Sequence, residues 1–420
     1  MDFSDAPTPV ASEESCNEGT GVRAQTILIS GIGIAGATLA YWLDRFGFTP
    51  TLVERAPQPR VGGYIIDFWG RGYDVAERMG LIPELRALGY DIRELRIVDE
   101  RGKRVGGFGV KVFRELTGGR YVSIARADLA TLIYRKIESK FETIFGDSVT
   151  GLRQDDNGVA VEFECAPPQR FDCVIGADGL HSAVRRLVFG SENRLGKYLG
   201  YYVAAFEVDG YPRRDEEVYV SYEFPGKQIA RFAMRGARTL FLLVFASQRP
   251  VPIDPRDLLS QKARLHAEFN HAGWECQQIL AALDDCHDLY FDSVSQIRMD
   301  SWSHGRVALV GDAAFCPSLL AGQGSALAMV GAYVLAGELA AVDGRPEPAF
   351  LRYEKFLHPF MTAKQNAAER FARSFAPKTR FGLFVRNQVT KALGIPFVAN
   401  LTLGRLTHDA IDLPSYPRSR

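Results

Sequence analysis

The run Gly31-Ile32-Gly33-Ile34-Ala35-Gly36 narrows the possible folds of this chain more than any other feature. It follows Thr26-Ile27-Leu28-Ile29, a β-branched, apolar stretch that reads as the buried central strand of a parallel sheet. Helix formers follow from Ala35 to Phe46, and Thr51-Leu52-Val53 reads as a second strand ending at Glu54. In a strand–turn–helix–strand unit of about thirty residues each glycine has its own duty. Gly31 permits the tight turn, Gly33 lets backbone approach a pyrophosphate, and Gly36 lets helix and strand pack closely. The helix then points its positive N-terminal end at the phosphates. Glu54 is placed to accept hydrogen bonds from a ribose diol. The spacing predicts a dinucleotide site, and an acid at the ribose suits NAD or FAD alike. A plain turn with a surface glutamate is the reading that needs no ligand.

Two later segments also end strands in a Gly/Asp turn. One is Cys173-Val174-Ile175-Gly176-Ala177-Asp178-Gly179-Leu180-His181-Ser182-Ala183-Val184-Arg185. The other runs from Arg306 through Val310-Gly311-Asp312-Ala313-Ala314 to Ala321-Gly322-Gln323-Gly324. Each puts a carboxylate at the carboxyl edge of a sheet, where open α/β sheets bind ligands. Either aspartate could instead cap a helix.

With these three segments in this order, the chain resembles the single-component FAD-dependent aromatic hydroxylases related to p-hydroxybenzoate hydroxylase, over roughly Thr26 to Ala341. The resemblance implies that Gly31, Gly33, Gly36 and Glu54, with Arg55 beside it, hold the ADP half of FAD. It implies that Asp178 and Gly179 serve FAD and the nicotinamide donor, that Gly311 and Asp312 bind the ribityl chain, and that Gly322, Gln323 and Gly324 lie under the flavin ring. Arg126, Gly63 and Asp67 match positions near the isoalloxazine, and Arg60 is a candidate contact for the donor. NAD(P)H would reduce the flavin transiently, O2 would form a C4a-hydroperoxide, and its terminal oxygen would go to a small aromatic or polyketide-like substrate. The loop at Gly322–Gly324 opens a helix near Ser325, whose N-terminus would stabilise negative charge on reduced flavin. Gly273-Trp274-Glu275-Cys276, Leu357-His358-Pro359-Phe360 and the helical tail look most like the tetracycline-inactivating subgroup. The chain departs from many relatives at Phe315, Leu319 and Ala326, where they carry His, Pro and Asn. No catalytic acid or base can be named; His181, His304 and His358 read as structural.

The fold class expected is α/β: a Rossmann-type FAD-binding domain with an inserted, mainly antiparallel sheet and a C-terminal helical segment. Residues 1–24 read as a disordered extension. Residues 25–190 and 299–345 form the FAD-binding domain, with 65–105 contributing to the substrate side. Residues 191–298 form the substrate domain and 346–420 the helical segment, with breaks at Pro359 and Pro377. The inserted sheet is read from Tyr201–Phe206, Val218–Tyr222 and Leu240–Phe245, aromatic and β-branched runs without helical period. Tyr201, Tyr202, Phe206, Tyr219 and Tyr222 could wall an aromatic substrate, although half of any strand faces its own core. Asp156-Asn157-Gly158 predicts a hairpin whose turn positions want positive φ.

The remaining features mainly exclude. Lys plus Arg equals Asp plus Glu, at 50 each, so no basic stripe speaks for nucleic acid. The cysteines Cys16, Cys165, Cys173, Cys276, Cys286 and Cys316 have neither metal-site nor dithiol spacing, which suits a reducing cytoplasm and no metal. The acidic first two dozen residues lack a leader's basic start. Ala326 to Val342, interrupted by Gly331, Gly337 and Glu338, reads as a buried helix rather than a membrane span. A flavoprotein oxidoreductase without oxygen insertion and a non-catalytic binding relative stay open as alternatives. A halogenase is set aside because Trp42, Trp69, Trp274 and Trp302 form no Trp-x-Trp pair.

Overall fold

The structure is a computed structural model, and it describes residues 25–58, 63–212, 215–251, 254, 257–392 and 409–417. The expected N-terminal extension and Arg60 lie outside the described residues.

A six-stranded sheet carries the glycine turn. Its order is Ser303–His304, Val307–Leu309, Cys173–Gly176, Thr26–Ser30, Thr49–Glu54 and Thr143–Phe145. Thr26–Ser30 pairs in parallel with both neighbours, which aligns the carboxyl ends of the strands bearing the first two motifs. Val307–Leu309 continues the parallel set and brings the third motif to the same edge. Ile27, Leu28, Ile29, Val174, Ile175, Val307, Ala308 and Leu309 are fully buried, so these strands read as continuous apolar runs rather than alternations. The helix Ile34–Arg45 covers this sheet together with Gly324–Ala341. The latter is long and apolar enough to cross a membrane, but 78% of it is buried inside the protein, as a core helix is.

The second large sheet is mixed, in the order Leu289–Ile297, Gly196–Asp209, Arg238–Ala246, Lys227–Ala233, Val218–Phe224, Glu94–Val98 and Arg104–Gly109. Glu94–Val98 joins it by a parallel pairing with Val218–Phe224, while the rest is antiparallel. Alternation decides which side chains face which way. Phe241, Leu243 and Phe245 pack under the helices Leu258–Phe269 and Cys276–Asp284. Ala205, Phe232 and Leu240 face the opposite side, with Tyr64, Tyr121, Tyr219 and Tyr290. A two-stranded ribbon, Ile65–Trp69 antiparallel to Tyr121–Ala125, stands between the sheets. Its Ile66, Phe68, Val122 and Ile124 enter the first core, leaving Ile65, Asp67, Tyr121 and Ser123 on its other face.

The expected hairpin forms between Val149–Asp155 and Gly158–Phe163, and two local readings are corrected. Asp156 and Asn157 keep negative φ, and Gly158 alone has φ of 138°. The turn is closed instead by Asp155 Oδ1 accepting the Asn157 N–H at 2.8 Å. Pro359 lies inside the single helix Pro346–Phe375 and does not break it. The lost backbone bond is offset by burial of Leu357 and Met361 on either side. The break at Pro377 is present, and the helix Arg380–Ala392 follows it. Residues 409–417 return, without helix, to the first core.

Candidate cofactor and active site

The three glycines of the first turn have different surroundings. Gly31 has φ of 99°, and a Cβ there would stand 2.7 Å from the Ala177 carbonyl oxygen and 2.8 Å from the Asp178 Cα. A Cβ on Gly36 would stand 1.9 Å from the Gly31 carbonyl oxygen, so helix and turn are in direct contact. A Cβ on Gly33 would meet nothing within 4 Å. Gly33 thus faces open space at the start of the helix Ile34–Arg45, as a backbone approached by a phosphate must. Glu54 reaches back to this turn: Oε2 accepts the Ile32 N–H at 2.9 Å and Oε1 the Ala56 N–H at 3.0 Å. Arg55 is exposed beside it.

The second motif touches the first through backbone, since Asp178 Cα lies against Gly31. Gly179 has φ of 80° and open space where a side chain would be. The Asp178 carboxylate itself caps a helix, accepting the Ala183 N–H at 2.7 Å and the Val184 N–H at 3.2 Å. Burial raises its pKa, and the Ser182 hydroxyl and these backbone bonds oppose the rise. Behind it, Arg185 is fully buried and donates to the Ala313 carbonyl at 3.0 Å. A buried guanidinium thereby ties the second motif to the third.

The third motif forms a cradle. Gly311 has φ of 67°, and its Cβ would meet the Ala35 methyl at 2.9 Å. Asp312 follows, and a Cβ on Gly324 would lie 3.6 Å from its Oδ1. Burial pushes the Asp312 carboxyl up from its ordinary value, and Arg126 pulls it down. Gly322 adopts left-handed geometry facing open space, and Gln323 stands at the N-cap position of Gly324–Ala341 without a side-chain hydrogen bond to it. Between them Ser318, only 2% exposed, has φ of 117° and a buried hydroxyl without a hydrogen-bond partner. Strained backbone and an unsatisfied buried polar atom mark a functional loop. Together with the space before Gly33, they fit a bound dinucleotide.

Arg126 donates its backbone N–H to the Tyr64 carbonyl at 3.0 Å, and its charge acts on Asp312, Tyr64 and Tyr290. Gly63, with φ of 125°, sits beside the Arg126 side chain. Asp67 Oδ1 accepts the Ser123 hydroxyl at 2.7 Å and the Tyr121 hydroxyl at 2.5 Å. Asp67, Tyr64, Tyr219 and Tyr290 all retain solvent access. Burial nevertheless pushes the Tyr64 phenol up to about 12 and raises Tyr219 and Tyr290 as well. Partial access combined with strong desolvation marks these groups as walls of a cleft. Of the five aromatic residues proposed as substrate wall, Tyr219 faces this cleft and Tyr201 packs beside Leu319 and Leu320. Tyr202, Phe206 and Tyr222 belong to the core under the helices.

Some residues here were not singled out from the sequence. Asp292, on the strand Leu289–Ile297, acts electrostatically on Tyr64, Tyr290 and Asp312. His181 bridges it to the second motif, with Nε2 3.2 Å from Asp292 Oδ2 and Nδ1 3.1 Å from Glu192 Oε1. The two carboxylates raise the His181 pKa to about 10, so the ring is charged and donates both bonds. An acid inside the apolar run Leu289-Tyr290-Phe291-Asp292 was the available signal. His304 contacts Gln154, and His358 stacks on Trp302 at 5.1 Å. The departures have packing partners. Phe315 is buried on Trp302 at 4.8 Å and against Gly331, Ala326 packs on Gly72, and Leu319 joins Val203 and Val294.

Fold and site together define a dinucleotide-type flavoprotein with an aromatic cleft beside its cofactor edge. The chain belongs to the FAD binding domain family, which matches residues 24–365, and is a flavin-dependent monooxygenase of the single-component type. It is 35% identical over 397 residues to a flavin-dependent monooxygenase from an unknown prokaryotic organism, covering 93% of this chain and 98% of the relative. It is 34% identical over 403 residues to one from Legionella longbeachae, covering 94% and 98%. The crystal structure of tetracycline destructase Tet(51) superposes with a TM-score of 0.81 at 34% identity, covering 93% of this chain and all of that one. Klebsiella pneumoniae HpxO, solved with FAD and uric acid, shares the fold, with a TM-score of 0.73 at 24% identity over 91% of this chain and 97% of that one.

Proposed function

We propose that the protein uses NAD(P)H and O2 to hydroxylate a small aromatic or polyketide-like compound bound between the two large sheets. The observation that carries this reading is the cradle of Asp312, Ser318 and Gly322–Gly324, beside a cleft walled by Tyr64, Tyr219 and Tyr290. Gly31, Gly33, Gly36 and Glu54 would hold the adenylate half of FAD, with Arg55 at its edge. The Asp178–Gly179 backbone would lie beside the pyrophosphate, Gly311 and Asp312 at the ribityl chain, and Gly322, Gln323 and Gly324 under the ring. Arg126, Gly63 and Asp67 would border the ring from the other side.

Bound FAD supplies two-electron storage and oxygen activation. The chain's own groups set the surroundings. The first turn of Gly324–Ala341 presents N–H groups and a positive helix end to charge on the ring. Tyr64 and Tyr290, with raised pKa values, stay protonated at neutral pH and act as hydrogen-bond donors, not bases. The apolar side chains Ala205, Phe232 and Leu240 keep water from the cleft floor. Two electrons from NAD(P)H and one O2 give a hydroxylated product and one water.

The test is made on purified protein. A flavin spectrum is expected, with NAD(P)H oxidation accelerated by a phenolic or polyketide compound and label from 18O2 in the product. Donor oxidation without label in product would leave only the oxidoreductase reading. Asp312→Ala is expected to lower bound flavin at least tenfold, and full retention would remove Asp312 from the site.

A further inference from the structure

We propose that the outer face of the helix Arg380–Ala392 docks on an anionic lipid surface. This helix is turned inside out. Its inward positions recur at i, i+3, i+4 and i+7, and three of the four are polar. Leu383 is buried, Arg386 pairs with Glu223 and donates to the Phe375 carbonyl at 3.0 Å, and Thr390 accepts the Gly107 N–H at 3.3 Å. Asn387 lies against Gly106. The outward positions are apolar except for Gln388: Phe381 is 76% exposed, Phe384 59%, Val389 49% and Val385 43%. A soluble surface helix has the reverse arrangement.

Charge identifies the occupant. From Ala376 to His408 the sequence has no Asp or Glu, but it has Lys378, Arg380, Arg386, Lys391 and Arg405, in a chain balanced as a whole at 50 acids and 50 bases. Lys378, Arg380 and Lys391 are exposed. At 100° per residue, Arg380 and Lys391 fall on the flank of the apolar face beside Phe384. An aromatic face flanked by uncompensated basic residues is the pattern of helices that lie in the headgroup layer of acidic membranes. A second copy of this chain would bring the same positive charge to the contact and is disfavoured by it. The position is also suitable. Phe375 and Ala376, just before the helix, pack with Leu319 and Leu320 of the cofactor loop, so the start of the helix is joined to that loop.

The test is co-sedimentation of the full-length, flavin-loaded protein with vesicles of phosphatidylglycerol and phosphatidylcholine, or of phosphatidylcholine alone. Binding to the acidic vesicles only, weakened by salt, is expected. Phe381→Ser with Phe384→Ser should lower the partition coefficient at least about tenfold with flavin content unchanged. Lys378→Glu with Arg380→Glu should remove the preference for acidic lipid. Failure of the unmodified protein to bind acidic vesicles would overturn the proposal, as would equal binding by the Phe381/Phe384 variant. A concentration-dependent dimer that this variant dissolves, with no vesicle binding, would assign the face to a second copy and overturn it too.

Discussion

Gly33 and Gly36 stand three residues apart and are glycines for different reasons. At Gly36 the constraint lies within the protein, because a methyl would collide with the Gly31 carbonyl. Gly36→Ala should therefore cost about 3 kcal/mol of stability and lower the denaturant midpoint whether or not flavin is bound. At Gly33 the protein leaves room for a side chain, so Gly33→Val should change stability by less than about 1 kcal/mol. Its flavin content should nevertheless fall at least tenfold, because the space it fills is the one assigned to pyrophosphate. Flavin absorbance per protein, read beside a denaturation curve, separates the two variants; a Gly33→Val protein with full flavin would refute that assignment. This contrast was legible in the sequence, because local strand–turn–helix geometry fixes the duty of each glycine. Asp178 was legible in two ways: its place at the sheet edge follows from the strand before it, and the alternative reading as a helix cap is the use its carboxylate has, with the Ala183 and Val184 N–H groups. Asp292 was not legible as a cleft residue, because its partner His181 lies 111 residues away and meets it only through tertiary structure.

Among elements, the strands of the first sheet could be read because full burial makes them unbroken apolar runs. The strands Glu94–Val98 and Leu289–Ile297 could not be placed, since their partners are distant in sequence and their patterns weaker. His181 pins the turn of the second motif to the strand Leu289–Ile297. Its unfolded pKa is about 6.5, and in the fold it is raised to about 10. A raised value means that the charged ring stabilises the fold fully below about pH 6.5 and loses that effect as pH climbs toward 10. The Tm gap between the unmodified protein and His181→Gln should be widest near pH 6 and shrink steadily above it; a gap independent of pH would refute the pin. Packing between Gly324–Ala341 and the third motif gives a second element-level test. A Cβ on Gly331 would lie 2.7 Å from Phe315 Cζ, inside a core with no spare room. Gly331→Ala should cost about 1–3 kcal/mol, and adding Phe315→Leu should recover at least half. Phe315, a departure from its relatives, is thus explained as a packing partner of this helix.

At the scale of the molecule, the cofactor half is closed by the far end of its own chain. Asp409 accepts the Arg71 N–H at 2.8 Å, 338 residues away, and pairs with Lys364. Arg71 also pairs with Asp412. Tyr416 lies on the groove over Gly337, where any Cβ would collide with its ring, and meets the Tyr333 ring edge to face at 5.4 Å. Its hydroxyl donates to Glu338 at 2.8 Å, and the Tyr333 hydroxyl donates to the Pro414 carbonyl at 2.7 Å. Nothing in the local sequence announces this strap, because a nine-residue stretch without helix or strand gains its structure only from the groove it fills. Gly70 and Arg71 open the helix Arg71–Arg78, whose Gly72 supports Ala326 in the first turn of the helix under the cofactor loop. The strap therefore braces the cradle from behind. Tyr416→Ala removes a half-buried ring and one hydrogen bond to a carboxylate, a loss of about 2–3 kcal/mol. The denaturant midpoint should fall accordingly, and flavin dissociation should quicken because the cradle loses its support. Unchanged stability and unchanged flavin release in that variant would show the strap to be a bystander of the fold.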